Sequence, residues 1–277
     1  MDHGIYKRFV FLDTNILSEL AKDRSTWPGV VAYLLREDLA LAVGSQVAEL
    51  ADADRLHAAL AGLLISAPSG IVKAWDAVMD EEIAAYPGRR SNEMLAYPLN
   101  ALLIEPDGVQ QIAAFLGSDR LSAVRREQRA ASAEFMSRVV ALKSNFPPAG
   151  PDGRYTTQQA EEFAEMLVLQ VLSKQQPEFF AGLAANPKDL KAKTFASIRL
   201  LALVLFYKYY LNNRPPSEES EFADLSHLYA IPYCEVAVVE RGLAEILRQV
   251  NRNHDVLASV ALHDISFVRL WQHEGAS

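Results

Sequence analysis

The feature that most constrains this chain is a short run of aromatic and branched residues, Phe9-Val10-Phe11-Leu12, that stops on Asp13-Thr14-Asn15. Four successive apolar residues leave no polar face, so the run reads as a strand buried on both sides, as in a parallel sheet. Asp13-Thr14-Asn15 supplies helix-start chemistry, and Ile16, Leu17, Leu20 and Ala21 follow at helical spacing. A second round repeats the pattern. Trp27 to Arg36 is helical with Pro28 tolerated in the first turn, and Leu39-Ala40-Leu41-Ala42-Val43 reads as a strand. Gly44-Ser45 breaks it, and Ser45 is placed to cap a helix carrying Val47, Leu50, Ala51 and Leu56. Strand and helix in alternation imply a parallel sheet with right-handed crossovers.

Beyond Ser66 the character changes. Helical patterns fill Ile71–Tyr86, Gly108–Leu116, Ser118–Leu142, Thr156–Gln175 and Pro187–Leu211, with no convincing strand among them. Proline- and glycine-rich loops at 146–153 and 212–217 separate them. The alternation then resumes: helix Ser217–Tyr229, Pro232 as a breaker, strand Val236–Val239, helix Leu243–Val250, strand Val256–Val260 and a short last helix. The expected architecture is α/β, a three-layer α/β/α sandwich around a central parallel sheet, interrupted by a large all-helical insertion. The core comprises residues 1–66 and 213–277, the insertion 67–212.

Several function classes lose their support. Cys234 is the only cysteine, which excludes an internal disulfide and a thiolate zinc cage. The N-terminal apolar run is too short for a secretory signal, and Leu200–Tyr207, flanked by Arg199 and Lys208, is too short for a membrane helix. A reduced, cytoplasmic protein is the expectation. There is no G-x-x-x-x-G-K-[ST] loop, no G-x-G-x-x-G and no G-x-S-x-G elbow. The net charge of −8 runs against a polyanionic partner, but it is uneven. Residues 65–215 carry 17 Lys+Arg against 16 Asp+Glu, and the two ends carry 10 against 19. Acidic ends suit a site built from carboxylates.

Ligands bind open parallel sheets outside the carboxyl ends of the strands. Asp13 ends the first strand, Glu240 ends Val236–Val239, Glu49 follows the second strand, and Asp224 lies on the helix feeding Val236–Val239. Two such carboxylates about 4 Å apart repel by roughly 4 kcal/mol at an effective dielectric of 20. Hard oxygen donors of this kind suit Mg²⁺ or Mn²⁺, which activate water toward a phosphodiester.

These segments resemble the motifs of PIN-domain nucleases. Phe9 to Leu17 looks like their opening strand with its acid followed by Thr-Asn, and Ser45-Gln46-Val47-Ala48-Glu49-Leu50 is similar to their second motif. Asp224-Leu225-Ser226-His227-Leu228 and the stretch from Pro232 to Glu240 resemble the third and fourth. The resemblance implies a metal-dependent endoribonuclease of the toxin type, with Mg²⁺ or Mn²⁺ held by Asp13, Glu49, Asp224 and Glu240. The family has Asp or Asn at the fourth position, so Glu235 stands as an alternative to Glu240, and Arg241 is placed to pair with Glu240 and silence it. Thr14, Asn15, Ser45 and His227 are the residues expected to orient ligands or substrate, although each of the first three is equally a capping residue and His227 reads more readily as a surface one. RNA, single-stranded or structured, is the expected substrate, with an antitoxin or other protein partner and a homodimer left open. The alternatives are a catalytically silent PIN-like module and a DNA-directed structure-specific nuclease.

Two further patterns stand apart from these motifs. His254-Asp255 and His263-Asp264 look like an HD phosphohydrolase signature, but that chemistry needs more His and Asp ligands on long helices. Basic stretches at 120–143 and 188–214 read either as solvated helix faces or as RNA-backbone contacts, Arg125 and Arg129 sharing one face.

Overall fold

The computed structural model describes residues 8–50, 53–88, 96–98, 107–184, 191–213, 221–268 and 271. Its strands are β1 (Phe9–Leu12), β2 (Ala40–Val43), β3 (Ser69–Val72), β4 (Ala96–Pro98), β5 (Val236–Val239) and β6 (Ala261–Asp264). They form one sheet in the order β4-β3-β2-β1-β5-β6. Five of them run parallel, and β4 closes one edge antiparallel. β1 is central because all four of its residues are buried apolar groups that only a two-sided cover can satisfy.

Strand residues alternate between two cores. On one face Val10, Leu12, Leu41, Val43, Val236 and Val238 meet α1 (Thr14–Lys22), α2 (Trp27–Arg36) and α3 (Asp54–Ser66). On the other, Phe9, Phe11, Ala40, Ala42, Ala237 and Val239 meet α7 (Thr157–Gln175), α9 (Ala196–Leu205) and α11 (Arg241–Asn253). Helices therefore cover both faces, an arrangement compatible with a three-layer α/β/α sandwich. The remaining helices are α4 (Trp75–Ala85), α5 (Gly108–Leu116), α6 (Asp119–Asn145), α8 (Pro177–Ala184) and α10 (Glu221–Ser226). Among the described residues no helix is long and apolar enough to cross a membrane.

The segment 67–212 departs from the all-helical expectation. β3 and β4 lie within it and extend the sheet, and its helices α7 and α9 share a core with β1, β2 and β5. β3 is a four-residue strand, too short for its period to show, and β4 ends on Pro98, which an edge strand tolerates. The strand expected at Val256–Val260 is a turn whose Val256, Leu257 and Val260 anchor the core. The strand itself follows as β6, an edge strand left half-exposed, so that it reads as polar. The start of the expected helix Pro187–Leu211 and that of Ser217–Tyr229 lie outside the described residues, as do Lys188, Arg214, Glu218 and Glu219.

One charged network ties α7, α9 and the turn before β6 together. The Arg199 guanidinium, buried among apolar neighbours, forks onto Glu161 at 2.5 and 3.2 Å and reaches Asp255 at 2.7 Å. His254 adds a 2.6 Å contact to Glu161 and a 3.0 Å contact to Tyr207. His254-Asp255 is thus a structural pair, and His263 stacks on Phe267.

Gly29 in α2 shows how closely Trp271 is seated on that helix. A Cβ at this position would lie 1.8 Å from the backbone oxygen of Trp271, a ring that is itself fully buried. Backbone cannot rotate away as a side chain can, so Gly29→Ala must displace Trp271. Thermal denaturation should show the variant less stable by about 1–3 kcal/mol, the range for overpacking; an unchanged Tm would mean that Trp271 is not seated against α2.

Candidate functional site

The strand order reverses direction at β1. From β1 the chain builds outward through β2, β3 and β4, then returns to place β5 and β6 on the other side. The crevice between the carboxyl ends of β1 and β5 is therefore the topological switch point, where open α/β sheets bind their ligands. Asp13 follows β1 directly, and Glu240 follows β5.

Asp13 is 6% exposed, and both of its carboxylate oxygens accept backbone hydrogen bonds. Oδ1 takes the Thr14 amide at 2.8 Å and Oδ2 the Glu240 amide at 3.3 Å. The side chain thus sits between the N-termini of α1 and α11, whose dipoles favour an anion there. Its capping role is real, and it also links the two halves of the site. Burial pushes its pKa up, the Glu240 and Thr14 amides oppose this, and the charges of Glu49 and Glu240 add to the rise.

Glu49 does not lie on an α-helix. Ser45–Leu50 is a 3-10 turn. The Gln46 side chain folds back across the end of β2, accepting from the Gly44 amide and donating to the Ala42 carbonyl, both at 2.8 Å. This seals the loop in place of a Ser45 cap. With three residues per turn, Gln46 and Glu49 fall on one line. The Thr14 hydroxyl donates to the Gln46 carbonyl at 3.1 Å, joining the loops after β1 and β2.

His227 is buried at 2% exposure, not on the surface. Its Nδ1 meets the Ser45 hydroxyl at 2.8 Å and its Nε2 meets Glu49 Oε1 at 2.9 Å. A carboxylate only accepts, so Nε2 carries a proton and donates to Glu49, while Nδ1 is tied to the Ser45 hydroxyl. The imidazole therefore orients Glu49 and is held by Ser45. Its link to Glu49, distant in the chain, is encoded in no short-range spacing.

Asp224, on α10, has its pKa pushed up to about 7. Burial is the largest cause, followed by the charges of Glu49, Asp13 and Glu240, with Lys208 opposing. The four sequence-selected acids thus lie within electrostatic reach of one another. Lys208, from the π-helical turn Phe206–Leu211 that extends α9, brings a cation near Asp224. Nothing in the motifs pointed to it as a site residue.

Two expectations are corrected. Glu235 precedes β5, at the opposite end of the strand from Asp13, and is paired with Arg8 at 4.0 Å, so it is not part of this cluster. Arg241 pairs with Glu245 one turn on, leaving Glu240 exposed at the N-cap of α11. Of the other candidates, Thr14, Ser45 and His227 are engaged in the frame, and Asn15 is exposed in the first turn of α1.

Among the described residues no group of three or more His, Cys, Asp or Glu side chains is gathered closely enough to hold a metal ion as it stands. The chemistry of the donor set nonetheless fits a hard divalent cation: four carboxylates from separate segments, with Asp13 and Asp224 raised in pKa by burial first and by neighbouring charges second. Comparison of the chain with protein-family models, curated proteins and solved structures gave no match in any of the three.

The raised pKa of Asp224 has a definite sign. Between its ordinary value of 3.8 and about 7 the folded state holds a proton that the unfolded state has released. This contribution to stability is therefore full below the ordinary value and is lost as pH rises through about 7. Carboxyl NMR of the metal-free protein should show Asp224 titrating near 7, and Asp13→Asn should lower that midpoint by removing a neighbouring charge. An ordinary Asp224 titration, unmoved by the substitution, would mean the acids are apart.

Proposed function

We propose that this chain is a metal-dependent endoribonuclease with a PIN-like fold. The observation that carries the reading is that Asp13, Glu49, Asp224 and Glu240, from four separate segments, lie near enough to the switch point of a parallel sheet for their charges to help raise the pKa of Asp13 and Asp224. In this proposal the fold is a PIN-like three-layer sandwich whose acidic edge comes from the two ends of the chain, while β3, β4, α7 and α9 of the intervening segment complete the sheet and one of its covers.

Asp13, Glu49, Asp224 and Glu240 would hold one or two Mg²⁺ or Mn²⁺ ions. Such ions, when bound, lower the pKa of water and stabilise the leaving oxygen of a phosphodiester. The chain's own groups do the rest. His227 fixes the direction of Glu49, Asp13 is fixed by two helix N-termini, and Asn15 offers an exposed amide beside Asp13. Lys208 supplies positive charge on the Asp224 side, where a phosphate would approach.

The second reading, a silent PIN-like module, rests on the spacing of the acids: among the described residues no three of them lie close enough to share an ion. Manganese titration separates the two. A cation that binds the native state must raise Tm with concentration, and Asp13→Asn should abolish both this rise and RNA cleavage. His227→Ala, which removes the support of a ligand, should weaken metal affinity by about 10–100-fold. No saturable stabilisation of the wild type supports the silent module, and cleavage by Asp13→Asn at the wild-type rate overturns the metal role. Flapped DNA cut faster than RNA in parallel assays would reassign the substrate.

A further inference from the structure

β6 ends the described sheet on its side, and only the edge that faces β5 is paired. The Ala261 amide donates to the Glu235 carbonyl at 2.8 Å. In a parallel ladder alternate residues bond to the same neighbour, so the backbone N–H and C=O of Leu262 point away from β5. No described residue bonds to them. A strand edge in this state is a template for a further strand.

Beside that edge lies an open groove of about 500 Å³, with Val260 and Leu262 on one side and α11 on the other. The α11 wall is cationic. Glu245 is engaged by Arg241 at 3.6 Å. Among the described residues Arg248 pairs only with Asp264, at 3.4 Å, and Arg252 is exposed and makes no ion pair. Arg248 thus stands near the end of β6, and Arg252 lines the groove with Val260 at its start. The two arginines are one helical turn apart, about 6 Å along the axis. Side chains on one face of a strand repeat about every 6.7 Å, so acids two residues apart on an added strand match that spacing. Phosphate oxygens only accept hydrogen bonds and would leave the Leu262 carbonyl unanswered, whereas a peptide strand brings donor and acceptor together. A second copy paired through β6 would set its own Arg248 and Arg252 against these.

We propose that this groove takes an extended acidic segment of a partner protein, added as a strand beside β6. The segment bonds to both backbone groups of Leu262, and two of its acidic side chains, two residues apart, face Arg248 and Arg252. Backbone bonds supply the attachment and the arginines select the sequence. The site lies about two turns along α11 from Glu240 and does not depend on the endoribonuclease reading.

Fluorescence anisotropy of the full chain with a labelled heptapeptide of alternating threonine and glutamate tests this. Binding should saturate, and should weaken at least about tenfold when lysine replaces glutamate in the peptide or when Arg248→Ala and Arg252→Ala are combined. The backbone contact is tested from the peptide, leaving the protein unaltered. Of two peptides N-methylated at alternate residues, one should lose binding at least about tenfold and the other keep it, because a strand offers only one set of its amides to β6. Amide exchange at Leu262 should slow in the complex. No saturable binding, or equal loss in both N-methylated peptides, overturns the added strand, and equal affinity for the lysine peptide overturns the acidic partner. A uridine oligonucleotide held more tightly than the peptide by the same two arginines would assign the groove to RNA instead. A dimer in sedimentation that the peptide dissociates would assign it to a second copy.

Discussion

The burial of carboxylates at one sheet edge is the constraint around which the rest of this site is built. Carboxylates that share a crevice separate or protonate, and Asp224 takes the second course, its pKa pushed up to about 7 chiefly by burial and then by the charges of Glu49, Asp13 and Glu240. The surrounding elements oppose the first. Backbone amides at the starts of α1 and α11 hold Asp13, and the Ser45–His227 pair holds Glu49. A fold that fixes mutually repelling groups in place sacrifices some stability locally, a pattern expected where a site has a task beyond folding.

The geometry follows from β1. Its unbroken apolar run makes it the central strand, and its neighbours β2 and β5 come from distant parts of the chain. Because both run parallel to β1, their carboxyl ends lie on one edge, and the residue after each strand arrives there without further design. Sequence separation between Asp13 and Glu240 becomes adjacency across a single ladder, with the Asp13 amide donating to the Val238 carbonyl.

What could be read in the sequence was what short-range pattern encodes. β1, β2 and β5 declare themselves as apolar runs, and the helices α5, α6 and α7 declare themselves by period and caps, Thr156 and Gln159 forming a capping box. β3 and β4 did not, since three or four residues at a sheet margin carry too little periodicity, and β6 is masked by its exposed polar side. In the site, the four acids could be selected because each adjoins a strand end or a feeding helix. The roles of His227, Gln46 and Lys208 could not, because each depends on a partner brought close only by the tertiary fold. Glu235 misled for a related reason: it lies near Glu240 in sequence, but one strand length away in space.

The most direct measurement is a crystal soaked in Mn²⁺ and examined by anomalous scattering. The account predicts a peak among Asp13, Glu49, Asp224 and Glu240, with the side chains drawn together around it. An empty crevice at saturating manganese, or a peak bound only elsewhere on the molecule, would contradict it.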